Sequence, residues 1–181
     1  MQFILIILLS VFSAIVYGII HDQITARICV EYFTIGHPPI FHTESPTLLA
    51  FGWGVVATWW VGLMLGFPLA CAARLGSSRA WTAKELIKPI AILLSVIGIG
   101  AFLAGIIGFK LASKGSIRLT DAFGSKIPAS KHIPFIVDMW THSASYLFGF
   151  VGGIVLIVRI WRKRERNIQR PLTAATADRG R

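Results

Sequence analysis

Four stretches of the chain are almost wholly apolar, and shorter segments holding most of the polar residues separate them: 3–20, 47–73, 86–109 and 140–160. About 20 apolar residues suffice to cross roughly 30 Å of hydrocarbon as a helix, and each stretch comes close to or exceeds that length. None of the four carries Asp, Glu or Lys in its middle; Arg159 stands only at the end of the last, where its charge can snorkel to the membrane surface. The pattern predicts an all-α integral membrane protein, a four-transmembrane-helix bundle forming one domain over 1–166. A basic, disordered tail is expected over 167–181. The first stretch has no basic leader, and Tyr17-Gly18-Ile19-Ile20-His21-Asp22 follows it where a cleaved leader would show small residues, so it is expected to stay in the protein as a helix.

Within and between the spans the periodicity changes. Residues 21–37 are too polar to span and too apolar for a free loop. Ile24, Ile28, Phe33 and Ile35 there predict a short interfacial helix after the first span, ended by Gly36-His37-Pro38-Pro39 because proline disfavours helix in the residue before it. Small residues recur in the later spans, at Gly54, Thr58, Gly62 and Gly66, at Gly98, Ala101, Gly105 and Gly108, and at Gly149 and Gly153, and they read as helix-packing faces. At 100° per residue, Asp138, His142, Ser145 and Tyr146 share a broad side with the last two glycines. Ser10, Ser13, Tyr17 and His21, continued by Thr25, form a matching stripe on the first span. Two polar stripes in an apolar bundle need partners, so they are expected to face each other.

Composition sharpens this picture. Hydrophobic residues make up 55% of the chain and charged residues 14%, against about 25% charged in soluble domains. The net charge of +10 is not spread over a face suited to nucleic acid: eight of the 18 Lys and Arg follow residue 158. Such a cluster beside a span is a topology signal and a contact for anionic lipid headgroups. Counting Lys and Arg alone, 74–88 with the tail hold 12 and the other connections six, which places both termini in the cytoplasm. The expected location is a bacterial inner membrane, with lipid as the main partner, no nucleic acid, and a homo-oligomer or a larger membrane complex as possible assemblies. Cys29 and Cys71 fall at opposite ends of the bundle, too far apart for a disulfide.

All five histidines, His21, His37, His42, His132 and His142, fall on the side assigned as outer. Asp138 and His142 have the i, i+4 spacing that sets two ligands on one helical face, a spacing that also serves a simple carboxylate–imidazole cap. His21 ends the facing stripe, and the turn after Ile35 can fold His37 over the bundle mouth. Four metal ligands follow as candidates: His21, His37, Asp138 and His142. Asp22 and Glu31 are the candidate proton acceptors for a metal-bound water, with pairing to Arg27 as the alternative for Glu31. Imidazole with carboxylate suits zinc, iron or manganese. His42 and His132 lack paired acids and read as surface or packing residues. Trp53, Trp81, Trp140 and Trp161 lie near span ends as interface anchors, and Trp59 and Trp60 as lipid-facing bulk.

Three functional readings follow. The first is a metal site at the outer face, with a metal-dependent membrane enzyme as the activity it would serve. The second is a haem b or quinone site with His21 and His142 as axial ligands. The third is a small permease or an accessory subunit of a membrane complex. The chain holds no nucleotide-binding glycine loop, no Cys-x-x-Cys pair and no serine-nucleophile elbow.

Overall fold

The computed structural model describes residues 1–76 and 79–165 in full and only the helical backbone from 166 to 178, so the tail expected over 167–181 lies outside the fully described residues. Among the described residues every regular element is helical: α1 (Gln2–Ile28), α2 (Val30–Thr34), α3 (Pro46–Val56), α4 (Trp59–Arg74), α5 (Ala83–Ser113), α6 (Asp121–Gly124) and α7 (His132–Asp178), the last preceded by a 3₁₀ turn at Ala129–Lys131. Four helical stretches are long and apolar enough to cross a membrane, namely Gln2–Ile28, Pro46–Arg74, Ala83–Ser113 and Ala129–Glu165. The short helix expected after the first span is α2, set off from α1 by the extended backbone of Cys29. The bundle's exterior is apolar, with Ile4, Phe12, Ile99, Phe102, Leu147 and Ile154 among its exposed side chains.

The helices begin and end where local chemistry provides for their free backbone groups. Ser45 caps α3, with Pro46 at the first helical position. Thr82 and Glu85 form a reciprocal capping box at the start of α5, Thr82 N donating to Glu85 Oε2 at 2.9 Å. Arg164, only 3% exposed, donates to the carbonyls of Ala72, Leu75 and Arg79, and so ties the end of α4 and the following loop to α7. This end of the bundle is the basic end. The other, holding 21–46 and 110–138, is the histidine end.

One span departs from expectation. The stretch predicted as a continuous helix over 47–73 is broken at Ala57–Thr58, between α3 and α4. The Thr58 hydroxyl donates to the Gly54 carbonyl, a back-bond that bends helices, and the Ala57 carbonyl accepts instead from Tyr146 Oη at 3.2 Å. Interrupted helices are tolerated in membranes where other groups satisfy the freed backbone, as Tyr146 does here.

α1 packs along both α3 and α4, α5 packs along α7, and α4 closes onto α7. The first contact depends on glycine. A Cβ built on Gly54 would fall 2.6 Å from Ile19 Cα and N, and one on Gly62 would fall 2.7 Å from Val11 Cα. Those neighbours are backbone and cannot swing aside. Gly98 and Gly149 behave differently: a Cβ on either would meet a single side-chain atom at 3.9 Å, so these positions face open space and not a helix. Gly62→Leu is therefore expected to destabilise the bundle by about 1–3 kcal/mol or more, the range for overpacking, while Gly98→Ala leaves stability nearly unchanged. Thermal unfolding of the two variants in detergent checks this, and equal effects would contradict the packing described.

Candidate metal centre

The site is built where α1, α2 and α7 meet at the histidine end. Helical spacing lines up Tyr17, His21 and Thr25 on α1, with the Thr25 hydroxyl donating to the His21 carbonyl at 3.2 Å. Asp22 follows one residue on, rotated by about 100°, and is buried. From α7, His142 reaches across so that its Nε2 lies 3.2 Å from Asp22 Oδ1. The His21 and His142 rings meet edge to face with centroids 4.7 Å apart. One potential ligand atom from each of His21, Asp22 and His142 lies within 4.8 Å of the others.

Hydrogen bonding around this trio restricts where the protons can be. His142 Nδ1 is 2.8 Å from the Asp138 carbonyl, which can only accept, so Nδ1 carries a hydrogen. A neutral His142 then turns a lone pair toward Asp22 Oδ1. His21 Nδ1 lies 3.4 Å from Tyr17 Oη, which is itself 2.9 Å from Ser145 Oγ. His21 Nε2 is buried with no hydrogen-bond partner. A buried polar atom without a partner is rare enough to require a reason.

The structure brings together two of the four expected ligands, His21 and His142, and adds Asp22, expected as a proton acceptor. Asp138 is fully buried, yet its carboxyl oxygens have no hydrogen-bond partner. The Cys29 N–H faces this carboxyl while donating to the Thr25 carbonyl, so any bond it makes to Asp138 is a shared one. Its contribution to His142 is through the backbone. His37 folds back over the bundle mouth as expected. Its Nδ1 donates to the Tyr32 carbonyl at 2.8 Å, and its ring stacks on Phe33 and leans on Trp53. It lines the same cavity as the trio without belonging to it. Burial lowers the His37 pKa, against the bond to Tyr32, which favours the charged ring.

Glu31 meets neither expectation. It pairs with Lys131 at 3.3 Å and accepts from the Cys29 thiol at 3.4 Å, whereas Arg27 donates to Gln23 and Thr47. Burial opposes ionisation of Glu31, but its own backbone N–H, Cys29 and Lys131 outweigh it and hold the carboxyl below the usual range. Burial pushes the neighbouring Cys29 thiol up to about 12, which leaves it an unreactive thiol. His132 Nε2 is 3.0 Å from the Ile127 carbonyl, and His42 lines a separate depression with Pro38 and Phe41, so both lie apart from the trio.

Tyr32 was not evident in the sequence. Its ring stacks on His142, with centroids 4.5 Å apart and planes at 29°, and its carbonyl fixes His37. Burial raises the Tyr32 pKa, with Asp138 adding to the effect, so the ring stays neutral. No spacing signal marks it, because its placement follows from the turn at Cys29 and not from a helical repeat.

No protein-family model, no curated protein and no solved structure matches this chain.

Proposed function

We propose that His21, Asp22 and His142 hold a divalent transition metal, zinc, iron or manganese, and that the protein is a metal-dependent membrane enzyme working at the outer face. One observation carries this reading. A ring nitrogen of His21, a carboxylate oxygen of Asp22 and a ring nitrogen of His142 lie within 4.8 Å of one another, and His21 Nε2 is buried without a hydrogen-bond partner. Two imidazoles and a carboxylate gathered this closely form a donor set that a cation would join. The supporting bonds fit the pattern of metal-bound histidines, whose second nitrogen is held by a carbonyl or another polar group: the Asp138 carbonyl for His142, and Tyr17 backed by Ser145 for His21.

Three protein ligands leave a further position open, the arrangement of catalytic and not of structural zinc sites. A metal there supplies a Lewis acid and an activated water. His37, beside the trio and with its Nδ1 held by a carbonyl, is the residue we assign to proton transfer. Glu31, held by Lys131, is not. The haem alternative is less well supported, because imidazole centroids 4.7 Å apart leave no space for a porphyrin between them.

Elemental analysis of the detergent-purified protein is expected to find near-stoichiometric metal. Replacing His21, Asp22 or His142 with Ala should remove most of it, while His132→Ala should leave it in place. Tyr17→Phe should keep the metal but weaken affinity by about 10–100-fold, the usual cost of losing an outer-shell partner. A metal-free wild type, with His142→Ala merely less stable, would make His142 and Asp22 a structural ion pair and overturn the reading. Orientation has its own check. A C-terminal reporter active only in the cytoplasm should be active and one fused after residue 40 silent; the reverse would put the site on the cytoplasmic side.

A further inference from the structure

A cavity of about 150 Å³ begins at the trio and runs along the bundle interior. Its polar lining gathers at the histidine end, where Tyr17, His21, Asp22, His37, His142 and Ser145 meet it. Beyond them the walls are mostly apolar, reaching Leu69, Leu94 and Ile157, with the hydroxyls of Ser10, Ser13 and Thr58 set among them. From His142 to Ile157, α7 advances roughly 22 Å at 1.5 Å per residue, so the volume is spread along a narrow slot. Two hydroxyls along the wall are occupied: Ser10 donates to the Ile6 carbonyl and Thr58 to that of Gly54. With most of its wall apolar, such a slot offers water few partners. It is too narrow for a macrocycle or a fused ring system.

A second cleft touches the same Tyr17 and His21 from the other side. It lies between α1, α5 and α7 and is bordered by Ile24 and Phe102, which are 60% and 68% exposed on the apolar exterior. Gly98 opens it, since a Cβ there would meet only Tyr17. The site is thus reachable from the surrounding hydrocarbon without passage through water.

We infer that the slot takes the single hydrocarbon chain of a membrane amphiphile, with an oxygen-bearing headgroup at the His21–Asp22–His142 group. The chain part rests on the slot and its lateral cleft. The headgroup part rests on the metal reading above. A long chain matches a narrow, mostly apolar slot whose ionisable groups sit at one end only, and a cation held by one carboxylate and two neutral imidazoles keeps positive charge for an anionic headgroup.

Palmitate carrying a photoactivated diazirine near its chain end tests this on the zinc-loaded, full-length protein in detergent. Mass spectrometry of the digested product should find label at the deep residues Leu69, Leu94 and Ile157 in excess of the exterior residues Phe102, Leu147 and Ile154. Gly149 lines the slot with open space over it, so Gly149→Leu should block the chain while zinc is retained, and deep labelling should fall about tenfold or more. Gly149→Ala, a smaller plug whose Cβ would meet only Ile97 at 3.9 Å, should give an intermediate loss. Chelation of the zinc should weaken deep labelling by removing the headgroup anchor. Exterior labelling alone in the wild type, or deep labelling indifferent to both plugs, would overturn the chain inference even if zinc is bound. Deep labelling in a protein that binds no zinc would leave the chain inference standing and remove the metal reading. Deep labelling unchanged by chelation would overturn the headgroup part only.

Discussion

Helices surrounded by hydrocarbon are not drawn together by the hydrophobic effect, so their association depends on how closely their backbones can approach. In this bundle the decisive approach is that of α1 to the second span, across Gly18, Gly54, Gly62 and Gly66. Everything at the histidine end follows from it. With that face of α1 held against α3 and α4, the face bearing Tyr17, His21 and Asp22 turns toward α7. There Tyr17 finds Ser145, and Asp22 finds His142. A side chain at any of the tight glycines would push α1 outward and separate atoms that now lie about 3 Å apart.

The same contact accounts for the interrupted second span. Gly54 both admits α1 and accepts from Thr58, and the helix yields at Ala57–Thr58. The break frees the Ala57 carbonyl, and Tyr146 satisfies it from α7. It also lets Ala57 and Thr58 line the cavity. Local irregularity at membrane depth is costly unless it borders protein or a cavity, and here it borders both.

Much of this was legible in the sequence, and the parts that were not have physical reasons. Span positions follow from hydropathy, which is a sum over many residues and forgives local error. The facing of the stripes on α1 and α7 follows from helical periodicity. The identity of the carboxylate does not. Asp138 and His142 share a face, but four residues also separate them by roughly 6 Å along the axis, and α1 presents its ligands level with His142 only. Asp138 is left a turn away, beside Cys29. Asp22 lies off the Tyr17–His21–Thr25 stripe, yet α7 approaches between the two directions and meets both His21 and Asp22. A stripe drawn on one helix cannot show the angle at which its neighbour arrives. For the same reason Gly149 looked like a packing residue, although its open side faces the slot. The pairing of Glu31 with Lys131 joins residues a hundred positions apart, which no local spacing reveals.

The two ends of the bundle use their polar groups in opposite ways, and the contrast bears on what each end is for. At the basic end Arg164 is buried, but it meets three carbonyls, and the Thr82–Glu85 box satisfies the start of α5. Donor and acceptor are matched there, as groups retained for structure must be, because an unmatched buried polar group is destabilising. At the histidine end the matching is incomplete. His21 Nε2 is buried without a partner, and the contact between His142 and Asp22 joins two groups that both accept unless a proton or a cation lies between them. A chain that balances its polar groups so closely at one end does not leave an imbalance at the other through poor packing, since Phe33, Phe135 and Leu49 close the core around it. The mismatch is local and continuous with a mostly apolar slot, which is where a bound cation and an apolar chain would each lower the free energy of the folded protein.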